Sequence, residues 1–365
     1  MALAHRLGER FAKRASGHDA DDSFVRENYA ELKQHRVFSA GVPGEFGGGD
    51  ASHAELGEML RTLAQYCSST ALALAMHTHQ VSIQVWRWRS EGAPVEPLLR
   101  RIAAEELVLV SSGGSDWLNG SGKAEPAEGG YRITARKIFA SGSPAGQLFM
   151  TMAVLDQGGE EPTVLHCAVP FAAPGVTVLD NWRTLGMRGT GSNDVILDGV
   201  FVPAAAVGVR RPQGKWAPVM HTTAGLALPL IYCVYLGIAE AARDLAVEAA
   251  RAKRSDMTLH YLVGELENEL MAARLAVASM MDTAQSPKFD SDTTNSVLMA
   301  RTLAGRHAIR TVEKALEVAG GGAFFRERSL ERLFRDIQAA RFHPMQEKPQ
   351  LLHAGRVALG LEINS

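Results

Sequence analysis

The sequence predicts a mainly α-helical protein with a central β domain. Three observations carry this. Apolar residues recur at helical spacing from the start to about residue 110. Between about 111 and 212 the pattern changes to short runs rich in Val, Ile, Thr and Phe, separated by Gly, Pro, Asp and Asn. From about 216 onward the helical period returns. The expected domains are an N-terminal helical domain (1–110), an antiparallel β-sandwich or barrel (111–215) and a C-terminal bundle of four-helix type (216–365).

In the first domain, "MALAHRLGERFAKRA" reads as an amphipathic helix, and without an apolar core segment it is not expected to be a signal peptide. "HAELGEMLRTLAQYC" repeats apolar residues at helical spacing. "SSTALALAMHTHQVSIQVWRW" is nearly all apolar, so a buried helix is expected. The glycine-rich "AGVPGEFGGGDAS" is a loop. In the second domain, "YRITARKIFAS", "QLFMTMAVL", "TVLHCAVP", "GVTVL" and "DVILDGVFVP" read as strands. In the third, three long helical segments with short connections, followed by two shorter ones broken at "GGGAFF" and "FHP", make a bundle. The first contains Ala224 to Ala239, uncharged over 16 residues. A spanning helix needs about 20, and Glu240 and Arg243 follow, so a buried core helix is expected and no membrane.

The chain has 365 residues, 46% hydrophobic and 21% charged, an ordinary globular composition. With 38 basic and 40 acidic residues, net charge −2, the balance argues against nonspecific binding to nucleic acid or anionic membrane. Cys67, Cys167 and Cys233 are far apart without a CxxC, so no disulfide framework and a cytoplasmic location are expected.

Several residues carry possible chemistry. His77 and His79 stand two apart, so they diverge on a helix, and no cysteine or carboxylate cluster joins them; no metal site is expected. In "RLFRDIQAARFHPMQEKPQ", Leu333, Phe334, Ile337 and Ala340 share a helical face. Pro344 then biases His343 out of the helical region. His343 either balances the helix-end dipole or does chemistry. Phe139 ends a strand as a core aromatic, and alternation puts it on one face with Ser141. "SGGSD" is a turn whose Ser and Gly amides suit an anion. Gly320, Gly321 and Gly322 suit a helix C-cap.

Five motifs, "VPGEFGGGDAS", "SSGGSDW", "ITARKIFASGSPAGQLFMTMAV", "TLGMRGTGSNDVILDGVFVP" and "EVAGGGAFFRERSLERLFRD", follow one another along nearly the whole chain. In content and order they resemble the acyl-CoA dehydrogenase superfamily of flavoproteins. The resemblance implies helical, β and helical domains, a flavin (FAD or FMN) between them, and a homotetramer. It implies that Phe139 stacks beside the flavin ring and that Ser141 hydrogen-bonds it. Ser112, Gly114 and Ser115 become cofactor-binding candidates. Gly320 to Gly322 would meet the cofactor of a neighbouring subunit, and Arg188 would lie near substrate.

The departures are informative. The family's glutamate base, counted from Asp336, falls on Pro344; the alternative position in the first long bundle helix falls near Ala227. Neither is a carboxylate, and proton abstraction beside a thioester needs a positioned base. Glu347 is the nearest substitute. The family's Arg-x-x-Phe-Gly clamp is replaced by "RAKRSDM". A branch of the superfamily takes reduced flavin from a separate reductase and uses it with oxygen. Its members resemble this chain in carrying a histidine at the place of His343, a Ser or Thr at Ser141, and often a histidine near His77 and His79. There an imidazole titrating near neutrality donates or accepts a proton. The leading expectation is a reduced-flavin-dependent monooxygenase of a small aromatic or heteroatom-bearing substrate. The alternatives are an acyl-CoA dehydrogenase with Glu347 as a displaced base, and a non-catalytic flavin- or acyl-binding scaffold.

Overall fold

The computed structural model describes residues 1–112, 114, 116–158 and 161–363. The first helices are α1 (Ala2–Asp21), α2 (Arg26–Gln34), α3 (His53–Tyr66), α4 (Ser68–Glu91) and α5 (Glu96–Glu105). A capping box starts α3: the Ser52 hydroxyl accepts from the Glu55 amide, and the Glu55 carboxylate accepts from the Ser52 amide. α4 is buried on nearly every side over residues 68–85, as its apolar composition requires.

The central strands are β1 (Leu109–Ser111), β2 (Lys123–Ala127), β3 (Gly130–Ala140), β4 (Leu148–Leu155), β5 (Thr163–Pro170), β6 (Val176–Val178), β7 (Asn193–Pro203) and β8 (Val207–Pro212). Among the described residues they form one sheet, in the order β6-β7-β3-β2-β4-β5-β8, with β1 beside β4. The expectation of an antiparallel domain is corrected: β1 and β2 both pair with β4 in parallel, so the sheet is mixed. The chain reverses after β2 and again after β3, which leaves β4 running with β2.

The last helices are α6 (Pro218–Ala250), α7 (Met257–Thr283), α8 (Ser291–Ala319), α9 (Leu330–Ile337) and α10 (Glu347–Ala358). Three long helices followed by two short ones form the expected C-terminal bundle. α9 passes into a 3-10 turn over Gln338–Arg341, and Pro344 follows three residues later, so α9 stays short. α6 is apolar enough to cross a membrane by length and composition, yet 94% of its most apolar stretch is buried inside the protein. Gly237 lets it meet α3: a Cβ there would come 2.2 Å from the Arg61 carbonyl oxygen. One turn on, buried Glu240 joins three helices, accepting from Arg61 at 2.7 Å and from Arg274 at 2.9 Å. Paired on both sides, it keeps its charge inside the fold.

Candidate active site

A cavity of about 890 Å³ lies between α4, the sheet, α6 and the segment after α9. That is ample for a ligand of cofactor size with a small second molecule. Its walls are mainly apolar, including Ile83, Leu148, Met150, Leu228 and Ile231. Its polar lining contains His79, Ser112, Ser141, His166, Ser192 and His343. Among the described residues no carboxylate lines it.

Phe139 and Ser141 both reach the cavity, but not by strand alternation. The register between β3 and β7 slips between Lys137 and Ala140, and Phe139 takes a left-handed φ of 58°. This bulge re-aims Phe139, a residue 49% exposed whose ring stands edge-on to Trp182 at 5.8 Å. Ser141 lies just beyond the strand, its hydroxyl 2.7 Å from that of Ser192. A large aromatic left open on a cavity wall, with a hydroxyl beside it, fits a planar heteroaromatic ring.

Ser112 and Gly114 also line the cavity, while Ser115 lies outside the described residues. Ser112 offers no anion cradle, because its amide donates to the Met150 carbonyl at 3.2 Å and its hydroxyl pairs with Thr151 at 2.7 Å. Gly320 to Gly322 are away from the cavity lining and cap α8, Gly320 with a φ of 65°.

His343 lines the cavity at the turn after α9, its ring 5.6 Å from that of Tyr235. Its backbone is fixed: the His343 carbonyl accepts from Arg301 at 2.7 Å. Burial, then Arg301 and His79, push the imidazole down to about 3. The expectation of titration near neutrality is therefore corrected, and His343 is a neutral hydrogen-bonding group. His79 likewise faces the cavity and is pushed down to about 3 by burial and by His77.

Three expected site residues are placed elsewhere. His77 points away from the cavity: its Nε2 meets the Phe38 carbonyl at 2.8 Å, and its Nδ1 accepts from the Leu109 amide at 3.0 Å. It ties α4 to the loop before α3 and to β1. Arg188 points toward α1, donating to the Thr184 and Asp19 carbonyls at 3.0 and 3.2 Å. Glu347, at the start of α10, pairs with Arg306 at 2.9 Å and is absent from the cavity wall. Pro344 and Ala227, the two positions where a family glutamate is expected, do line the cavity and bring no carboxylate. Glu347→Gln is accordingly expected to leave turnover intact and to change stability by less than about 1 kcal/mol, as for an exposed ion pair; activity assay and thermal melting check this.

His166 and Arg335 are among the lining residues that were not anticipated. His166 sits on β5, where Arg211 donates to its Nε2 at 2.9 Å. Its pKa is pushed down to about 3, first by burial and then by Arg211, Arg87 and Lys137. The lone polar ring inside the apolar run "TVLHCAVP" was the available signal. Arg335 reaches the cavity edge while held by Asp19 at 2.6 Å and Glu331 at 2.8 Å. Gly186 permits this junction, since a Cβ there would come 2.4 Å from the Arg335 carbonyl.

Models of three acyl-CoA dehydrogenase domains match the chain in order: N-terminal over residues 3–106, middle over 111–200 and C-terminal over 230–348. The amino sugar nitrososynthase of Streptomyces peucetius is 30% identical, covering 91% of this chain and 86% of that protein. The pigment production hydroxylase of a Rhodococcus species is 26% identical, covering 94% and 92%. Among solved structures, KijD3 in complex with FMN and dTDP-3-amino-2,3,6-trideoxy-4-keto-3-methyl-D-glucose is similar with a TM-score of 0.89 at 28% identity, covering 98% of this chain and 92% of that one. With these matches spanning helical, β and helical parts alike, the chain belongs to the acyl-CoA dehydrogenase superfamily and is a flavin-dependent oxidoreductase of its oxygenase branch.

Proposed function

We propose that this protein is the oxygenase component of a two-component system. It takes reduced flavin, FMN or FAD, from a separate reductase and places one oxygen atom of O₂ on the nitrogen of a small amine. The second oxygen atom leaves as water. The observation that carries this reading is a cavity wall with neutral imidazoles and, among the described residues, no carboxylate. Such a wall offers no carboxylate to remove a proton beside a thioester, and its imidazoles, with pKa values pushed down to about 3, are weak bases. Among the described residues it also has no counterion for an ammonium, so an amine entering an apolar cavity beside Arg87 and Arg335 is held in its uncharged, nucleophilic form. The amino sugar nitrososynthase likeness points to the same substrate class.

Phe139 and Ser141 would hold the flavin ring, and His343 and His79 would face the substrate across it. When bound, the flavin supplies the activation of O₂. The chain's own groups orient the two molecules and exclude water. His343, fixed through Arg301, offers a neutral hydrogen bond at the reacting region without carrying a full charge into it.

The test supplies purified protein with reduced FMN, ¹⁸O₂ and a panel of amines, thioethers and phenols. A hydroxylamine or nitroso product carrying the label is expected from an amine. Bleaching of bound flavin by an acyl-CoA, with no oxygen incorporated, would reject the reading in favour of a dehydrogenase.

The oligomer belongs to the same proposal. Phe324, 88% exposed, and Phe325 follow Gly320–Gly322, and Met271, Leu275 and Leu303 are exposed on α7 and α8. Exposed apolar faces of this extent favour assembly into a homotetramer or at least a dimer. Light scattering is expected to give a multiple of the 39.3 kDa chain mass; a monodisperse monomer would contradict this. The free, buried Cys67, Cys167 and Cys233 suit a reducing cytoplasm.

A further inference from the structure

The two ring nitrogens of His166 are in different situations. Arg211 Nε donates to Nε2 at 2.9 Å. A guanidinium offers no acceptor and does not deprotonate, so Nε2 must carry the lone pair. The imidazole is neutral, because burial and the cations Arg211 on β8, Arg87 on α4 and Lys137 on β3 push it down to about 3. A neutral ring with its lone pair on Nε2 carries its proton on Nδ1. Turning the ring over does not change this, since it would set a carbon against the Arg211 N–H in place of Nε2.

Among the described residues nothing accepts from that Nδ1–H, and Nδ1 is not one of the buried unpartnered atoms. It therefore opens onto the cavity, which His166 lines beside its strand partner Met152. Arg211 strengthens it from behind. Arg211 is buried, and its acceptors are all neutral: His166, the Trp117, Leu118 and Pro212 carbonyls and the Met152 sulfur. Its charge polarises the imidazole and makes the Nδ1–H a better donor. Arg87 lines the same cavity and donates to the Gly208 carbonyl on β8, next to the Val209 that pairs with His166. This end of the cavity attracts an oxygen lone pair and repels an ammonium. In the sheet order β3-β2-β4-β5, it stands three strands from Phe139, roughly 14 Å along the sheet.

We propose that His166 is a specificity-determining donor that selects a small amine carrying an oxygen acceptor at the end away from its reacting nitrogen, with Arg211 as the positioning residue that fixes the donor. This rests on the reading of the protein as an amine oxygenase. The acceptor is a neutral ether or carbonyl oxygen or an anionic one, all of which receive the same N–H. Because the contact is remote from the reacting nitrogen, it sets which amine is held and takes no part in oxygen transfer.

The test uses the full chain and three amine probes of one shape: cyclohexylamine, 4-aminotetrahydropyran with a neutral ring oxygen, and 4-aminocyclohexanecarboxylate with anionic oxygens. Dissociation constants come from ligand-observed NMR. At least one oxygen-bearing probe is expected to bind roughly tenfold tighter than cyclohexylamine, the scale of one well-made hydrogen bond. Tighter ether binding identifies a neutral acceptor, and tighter carboxylate binding an anionic one. His166→Phe should abolish the preference, while His166→Asn, with an N–H at the δ position, should keep most of it. ¹⁵N NMR of histidine-labelled protein should show a neutral His166 protonated on Nδ1 over about pH 5–8. Arg211→Lys, still only a donor, should keep that signature; Arg211→Gln should lose it and let the ring gain a proton below neutrality. Cyclohexylamine binding as tightly as both oxygen-bearing probes, no binding of either of those probes, or a wild-type His166 protonated on Nε2 overturns the proposal whether or not any variant folds. If the ¹⁸O₂ assay yields no oxygenated amine while the preference holds, the amine-oxygenase reading fails and the donor site stands. If amines are oxygenated but the wild type shows no preference, that reading stands and this proposal fails.

Discussion

Replacing His343 with alanine is expected to lower product formation by about 10²–10³-fold, the usual loss when one placed hydrogen-bonding group is removed from a reacting site. Release of hydrogen peroxide should rise, because reduced flavin and oxygen would still meet in the cavity while the substrate is poorly held. His343 is suited to this role by three features. Its backbone is fixed by Arg301, its ring is packed beside Tyr235, and its pKa is pushed down to about 3. The last feature sets a second expected result. A histidine that stays neutral gives no inflection between pH 5 and 8, where an unperturbed imidazole would titrate at about 6.5. The pH profile of coupled turnover should therefore show no His343-dependent limb in that range. His343→Gln, which keeps a neutral donor and acceptor, should recover part of the yield that His343→Ala loses. Product and peroxide are measured together in the presence of reduced flavin. Normal coupling in His343→Ala would show that the ring only fills space.

How far the sequence reached can be seen residue by residue. The switch from helical to strand texture near 111, and back near 216, was legible because each periodicity runs for many residues. β1, β2 and β8 were not. β1 and β8 are short, β2 contains Pro126, and all three owe their existence to strands already in place beside them. His343 was legible because a proline three residues beyond the last helical turn, which ends at Arg341, marks where the chain must leave the helix. Choosing between His77 and His79 was not possible. α4 is buried nearly all round, so its sequence has no polar face to set a phase. The outward aim of Phe139 depends on a one-residue bulge, which the alternating pattern conceals. Arg188 and Glu347 failed as site residues for a related reason. A charged side chain goes to the nearest opposite charge or carbonyl, here Asp22, Asp19 and Arg306, and linear spacing does not display those partners.

His77→Ala is expected to destabilise the fold by about 3–6 kcal/mol. Both ring nitrogens are engaged with buried backbone groups, the Phe38 carbonyl and the Leu109 amide. Removing the ring leaves each without a partner, at about 1–3 kcal/mol apiece. It also removes an edge-on contact with the Phe38 ring at 5.0 Å, worth about 0.5–1.5 kcal/mol. The same residue contributes an acid-sensitive term whose sign is fixed by its pKa. Burial lowers the folded value to about 4, while the unfolded value is the ordinary 6.5. Between those two values the unfolded chain binds a proton that the folded chain does not. The term is therefore intact above pH 6.5 and is lost as pH falls toward 4, at up to about 1.4 kcal/mol per pH unit. His53, His79 and His166 are depressed in the same direction by burial, so the wild type should weaken steeply over this range. The contribution of His77 is isolated by His77→Gln, which keeps a donor and an acceptor but cannot titrate. Urea unfolding of both proteins at several pH values should give a shallower slope for His77→Gln. Parallel slopes would mean that His77 already carries a proton in the folded protein, which would require the Leu109 amide to have lost its acceptor.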